Sequence, residues 1–367
     1  MTPGSVSAET GATSTAARAA VWHGGPRVTV ERFRLAAPAP DEIVVRVDLA
    51  TVCGSDRHTV SGRRPGPTPS VLGHEAVGTV MAVGSARPLL LSGEPVRPGD
   101  RVVWSVTVAC GACDRCRAGR TAKCRSVRKV GHERLDEAWP LSGSYATHVV
   151  LPAGTALARV PGALPDAAAA PAACATATVV AAAEAARRAV GTLAGKRVLV
   201  VGAGMLGLCA AALAAAEGAA DVVVTDVDPG RLAAARDFGA TATRPAGEVL
   251  PAVDVAFELS GATSAVSAAL DALDVGGVLV LVGSVAPAPP LALDPERVVR
   301  SWLTVTGVHN YEPRHLQQAV EFLAATQPTR RWERLVEPPV TLDELPELLL
   351  GPPTGRPRGS VRPYPAP

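Results

Sequence analysis

The chain has 367 residues and a formal net charge of +2, from 36 Lys and Arg against 34 Asp and Glu. That length suits two domains, and the near-neutral balance supplies no basic face for nucleic acid or an anionic membrane to hold. The most apolar run, Ala172 to Ala183, is too short to span a bilayer and is bounded by Pro171 and Glu184.

Residues 1–17, rich in Ser, Thr, Ala and Gly, are expected to form a disordered tail. They lack the cationic start and apolar core of a secretory signal, so the cytoplasm is the expected compartment. Residues 18–164 read as a β-rich domain, with short runs at 43–47, 77–83, 101–106 and 145–151 set apart by Gly and Pro. From 165 to 302 the texture alternates. A helix is predicted over 167–190, then strands at 197–201, 221–226, 254–259 and 278–282 with helices at 205–217, 231–238 and 265–273 between them. Such alternation predicts an α/β domain with a doubly wound parallel sheet. Residues 303–367 lose it and read as a return to the β-rich domain.

Val198-Leu199-Val200-Val201-Gly202-Ala203-Gly204-Met205-Leu206-Gly207 is a buried strand running through a glycine loop into a helix. Gly202 suits the tight turn, Gly204 lets a pyrophosphate approach the backbone, and Gly207 lets helix and strand pack closely. N–H groups of the helix start, including those of Met205 and Leu206, then face the phosphates. Asp226 ends the next strand, where a carboxylate accepts from ribose hydroxyls and repels the extra phosphate of NADP. NAD is therefore the expected cofactor, with the nearby Arg231 leaving NADP open.

Cys110, Cys113, Cys116 and Cys124 fall within fifteen residues. Four thiolates so spaced suit a closed tetrahedral zinc site, the alternative being disulfides. A second, discontinuous set comprises Cys53, His74 and Cys174, three ligands that leave one position open for catalysis. Cys209, inside the helix after the glycine loop, reads as core packing.

Chain order, ligand spacing and nucleotide fold together resemble the zinc-containing alcohol dehydrogenases of the medium-chain dehydrogenase/reductase superfamily, from about Arg18 to the C-terminus. The resemblance implies a GroES-like β-rich catalytic domain with a structural-zinc lobe, joined to a Rossmann domain. It implies two zinc ions per chain, catalytic zinc on Cys53, His74 and Cys174, with Glu75 as the acid behind the metal and Asp56 orienting His74. It also makes Ser55 and His58 a proton relay for hydride transfer between NAD and an alcohol or aldehyde. A homodimer or homotetramer follows, assembled near 278–282.

Cys174 stands where many polyol members have Glu, which disfavours a sorbitol-type enzyme. The segments at 131–133, 141–146, 174–178 and 307–311 resemble a subgroup associated with phosphonate metabolism. Arg64, with Lys129 and His132, then favours an anionic substrate such as a hydroxyalkylphosphonate. The alternative is that Arg63 and Arg64 are solvated and the substrate is a neutral polyol, sugar or natural-product alcohol. A zinc-free quinone-reductase-like relative or a non-catalytic zinc protein fits less well, since neither needs Cys53, His74, Cys174 and the Ser55–His58 pair together.

Overall fold

The computed structural model describes residues 16–353 and 355–364, so most of the expected tail, residues 1–15, lies outside the described residues. Ala16 and Ala17, assigned to that tail, already belong to the strand Ala16–Trp22.

The β-rich part holds two antiparallel sheets. In the smaller, Ala16–Trp22 lies between Val28–Arg34 and Ser70–Val71. In the larger, the order runs Gly359–Val361, Ile43–Val52, Glu75–Val83, Arg101–Val108, Arg128–Lys129. His148–Leu151 and Thr155–Arg159 close it onto itself by pairing with Ile43–Val52 and Arg101–Val108. Alternating apolar residues such as Val45, Val47, Trp104 and Leu157 fill its interior. The last strand comes from the far end of the chain, and its register sets Gly359 opposite Val52 and Ser360 opposite Thr51. One step further, Arg358 arrives beside Cys53.

The α/β part is a six-stranded parallel sheet in the order Ala242–Pro245, Asp221–Asp226, Arg197–Val201, Val253–Glu258, Leu273–Leu281, Thr304–Gly307. Numbered along the chain that order is 3-2-1-4-5-6, the doubly wound arrangement with its crevice beyond the first and fourth strands. The sixth strand lies past the expected boundary at 302. A helix at Pro313–Arg330, not anticipated in the sequence, packs against Ala175–Val190.

The single helix expected over 167–190 is instead broken. Asp166–Ala169 runs into a 3-10 turn at Ala170–Ala173, and Ala175–Val190 resumes at an angle of 52°. Pro171 supplies no N–H to the ladder, and Cys174, at φ −133° and ψ −70°, is the residue at the break. Among the described residues no single helix is long and apolar enough to cross a membrane, and the bent pair is buried in the core.

Candidate active site

Three separate segments deliver Cys53, His74 and Cys174. Cys53 caps the helix Gly54–Val60, His74 precedes the strand Glu75–Val83, and Cys174 sits at the helix break. Their ligand atoms lie within 4.8 Å of one another. Two thiols and one imidazole fit tetrahedral zinc with one position left open.

Asp56 organises two of the three. Its Oδ2 accepts the Cys53 N–H at 3.0 Å and the Tyr145 hydroxyl at 2.8 Å, while Oδ1 lies 3.3 Å from His74 Nδ1. The other ring nitrogen, Nε2, faces Ser55 Oγ at 3.3 Å. Burial alone would lower the His74 pKa, but Asp56 and Cys53 outweigh it and hold it well above the usual value. The Cys53 thiol is pushed well down, first by its hydrogen bond with Cys174 and then by Arg358 and His74, despite its burial. Cys174 is pushed well up as the other half of that pair.

Glu75, expected among the metal-associated residues, is not one of the three clustered ligands. Its carboxylate is occupied by Arg358 and by the Thr51 hydroxyl, at 2.8 Å. Arg358 Nη2 also reaches Cys53 Sγ at 3.6 Å. No sequence signal marked Arg358, since nothing near it in the chain suggests a ligand.

Ser55 and His58 stand one turn apart on the same helix and both line a cavity of about 250 Å³. Among the described residues no hydrogen bond joins them directly. The opposite wall of that cavity is the glycine loop, Gly204 to Gly207, together with Leu259 and Ser260. Gly202 has φ +100°, and a Cβ on Gly207 would stand 1.8 Å from the Gly202 carbonyl, so both positions demand glycine.

Asp226 is buried at the strand end. Its carboxylate accepts the Ala203 N–H at 2.6 Å and the Asp228 N–H at 2.9 Å, bracing the loop from behind. Arg231 is on the first turn of Pro229–Asp237, 3.8 Å from Asp228, and does not line the cavity. Glu258, which sequence reasoning missed, accepts from Ser260 and Gly261 at 2.7 Å each and pins the loop that forms the cavity's far side.

Arg64, Lys129 and His132 all line the same cavity and also wall a second one of about 220 Å³. Arg63 is exposed. The His132 ring lies against His74 with centroids 4.7 Å apart. Burial, then the charges of His74, Arg64 and Lys129, keep it well below its usual pKa.

The four remaining lobe cysteines gather as well. Cys113 lies 3.5 Å from Cys116 and 3.9 Å from Cys124, and Cys124 lies 3.4 Å from Cys110, sulfur to sulfur. A disulfide needs about 2.05 Å, whereas four thiolates at about 2.3 Å from one zinc stand roughly 3.8 Å apart. The second pattern fits. Cys209 packs in the core beside Thr176.

Comparison with known proteins agrees with this arrangement. Residues 39–162 match the alcohol dehydrogenase GroES-like domain and residues 206–325 match the zinc-binding dehydrogenase family. The L-threonine 3-dehydrogenase of Edwardsiella ictaluri is 35% identical over 296 residues, 76% of this chain and 80% of that protein. That of Anaeromyxobacter dehalogenans is 37% identical over 297 residues, 75% and 79% respectively. Among solved structures, an alcohol dehydrogenase from Thermotoga maritima superposes with a TM-score of 0.87 at 26% identity, covering 95% of this chain and 100% of its own. A zinc-binding dehydrogenase from Sinorhizobium meliloti bound to NADP gives 0.84 at 26% identity, with the same coverage of both chains.

Proposed function

Because this chain belongs to the zinc-binding alcohol dehydrogenases of the medium-chain dehydrogenase/reductase superfamily, we propose that it transfers hydride between NAD(H) and a small alcohol–carbonyl pair. It is an NAD(P)-dependent oxidoreductase of the zinc type. One observation carries the proposal: the open three-ligand cluster and the glycine loop face each other across a single cavity of about 250 Å³. When bound there, zinc supplies a Lewis acid for the alcohol or carbonyl oxygen and the nicotinamide supplies the hydride acceptor or donor. Ser55 Oγ, beside the cluster, accepts the hydroxyl proton as it gives up its own, and His58 takes that proton through a bridging hydroxyl or water and passes it towards solvent. Asp56 holds the His74 ring in position. The four-cysteine lobe holds a second, structural zinc.

Asp226 supports NAD over NADP, because a buried carboxylate at that strand end repels a ribose phosphate. For the substrate, Arg64 and Lys129 support an anionic group, since both residues line the cavity and neither has an ion-pair partner among the described residues. No relative described above is named for a phosphonate, so the reading stops at an oxyanion. The second reading, a β-hydroxy amino acid, takes its support from the threonine dehydrogenases that the chain resembles.

A homo-oligomer is also proposed. Thr304–Gly307 is an open sheet edge, and Val275, Val299 and Trp302 nearby are 66%, 72% and 78% exposed, an apolar surface suited to a second copy.

The test is NADH oxidation by zinc-loaded protein with acetoacetate and 2-butanone, alongside Ser55→Ala. Turnover that falls about 100-fold or more in the variant is expected. A panel of small carbonyls with no turnover at all would refute the dehydrogenase assignment.

A further inference from the structure

We infer that His309 and Asn310, together with Arg64 and Lys129, form a cationic, donor-rich subsite that accepts an oxyanion and disfavours substrates carrying an ammonium group. This rests on the dehydrogenase reading above and narrows its substrate class.

His309 and Asn310 lie between the strand Thr304–Gly307 and the helix Pro313–Arg330, and both line the cavity. Asn310 is held at φ +61°, a left-handed conformation that Asn tolerates. Its Nδ2 is buried and has no hydrogen-bond partner. A buried amide donor left unpaired is costly, so an acceptor is expected to arrive from the cavity.

His309 contributes a second donor, set by a residue outside the cavity. Lys123 Nζ lies 2.9 Å from His309 Nδ1. An ammonium can only donate, so Nδ1 is the acceptor and the neutral ring carries its proton on Nε2. That nitrogen has no partner among the described residues. Burial, then Lys123, Lys129 and Arg64, push the ring pKa down to about 4, which keeps it neutral.

Arg64 and Lys129 add two cations. Glu133, the acid nearest Lys129 in sequence, accepts the Lys129 backbone N–H at 2.7 Å and acts on the Lys129 ammonium only as the weakest of the neighbouring charges, without an ion pair. Neither cavity has an Asp or Glu in its lining. The carboxylates just behind the walls face other groups: Glu75 is paired with Arg358, Asp56 accepts from Cys53 and Tyr145 through Oδ2 and turns Oδ1 towards His74, and Glu258 accepts from Ser260 and Gly261. A carboxylate or similar oxyanion therefore meets donors on several sides. An α-ammonium meets two like charges and no acceptor carboxylate.

The experiment compares 3-hydroxybutyrate with L-threonine, which has the same skeleton plus the ammonium group, and with 2-butanol, which has no anionic head. Titration calorimetry is run on the full-length, zinc-loaded chain with NADH present, so that the alcohols bind without turning over. We expect 3-hydroxybutyrate to bind at least about tenfold tighter than either, a difference of about 1.4 kcal/mol. Asn310→Ala and His309→Leu should each reduce that ratio about threefold or more. Equal affinity for L-threonine, or ratios unchanged in both variants, would overturn the subsite. So would variants that weaken only NADH binding, which would assign the donors to the cofactor. Turnover is read separately. Discrimination in binding without turnover of any carbonyl keeps the subsite and sinks the dehydrogenase reading, whereas equal turnover of acetoacetate and 2-butanone does the reverse.

Discussion

Arg358 and Glu75 form a bidentate ion pair inside the protein, with Nε 2.7 Å from Oε2 and Nη2 2.9 Å from Oε1. Both side chains are almost fully buried, at 6% and 0% exposure. The Thr51 hydroxyl and Cys53 sulfur add further contacts, so the C-terminal strand is chemically tied to the Cys53–His74–Cys174 cluster. Burial pulls the Glu75 pKa upward and the Arg358 charge opposes it.

Removing one partner should be far worse than removing both. Arg358→Leu leaves a buried carboxylate without its counter-charge, and a loss of about 3–5 kcal/mol in urea unfolding is expected. Arg358→Leu combined with Glu75→Leu should recover much of that loss. A double variant as unstable as Arg358→Leu alone would show that packing of the C-terminal strand, and not charge, carries the effect.

The four-cysteine lobe is mechanically joined to the cavity. Glu312, at the start of the helix Pro313–Arg330, accepts from the Thr121 N–H at 2.8 Å and the Ala122 N–H at 3.2 Å, both within the lobe. If both cysteine clusters hold zinc as proposed, Cys116→Ser should lower bound zinc from two ions per chain to one and release this clamp. Metal analysis with a colorimetric chelator gives the stoichiometry. Backbone hydrogen exchange should then quicken at 309–312 as well as within the lobe. Exchange confined to 110–126 would refute the coupling.

His309 has a pH signature. Its folded-state pKa is pushed down to about 4, by burial first and the neighbouring cations next, against roughly 6.5 in an unfolded chain. Between those values the unfolded state binds a proton that the folded state refuses. Its contribution to stability is therefore whole above about pH 6.5 and declines as pH falls towards 4. The side chain is partly exposed, so the size of the effect is modest. Ring-carbon NMR should find a midpoint near 4, and Lys123→Met should raise it by removing the closest cation. A midpoint unmoved in that variant would show that Lys123 has no part in setting it.

Some of this protein was legible in the chain because its signals are local. The strand–glycine–helix run around Gly202 and the alternation that follows it depend on neighbours a few residues apart, and the parallel doubly wound sheet formed around the expected strands, with Ala242–Pro245 and Thr304–Gly307 added at its two edges. The four lobe cysteines likewise meet within one short loop. The helix break at Cys174 was hidden, because an apolar Ala-rich run reads as continuous helix and Pro171 only redirects it once the turn packs against the β-rich domain.

The remainder was decided by tertiary closure. Arg358 meets Glu75 across 283 positions, and Lys123 meets His309 across 186. Pairing of Gly359–Val361 with Ile43–Val52 creates the first contact, and docking of the four-cysteine lobe against the start of the helix Pro313–Arg330 creates the second. No periodicity, spacing or propensity encodes such pairs. An arginine near the C-terminus and a lysine before a cysteine look like any surface cations until the fold buries the first against Glu75 and Cys53 and sets the second beside His309.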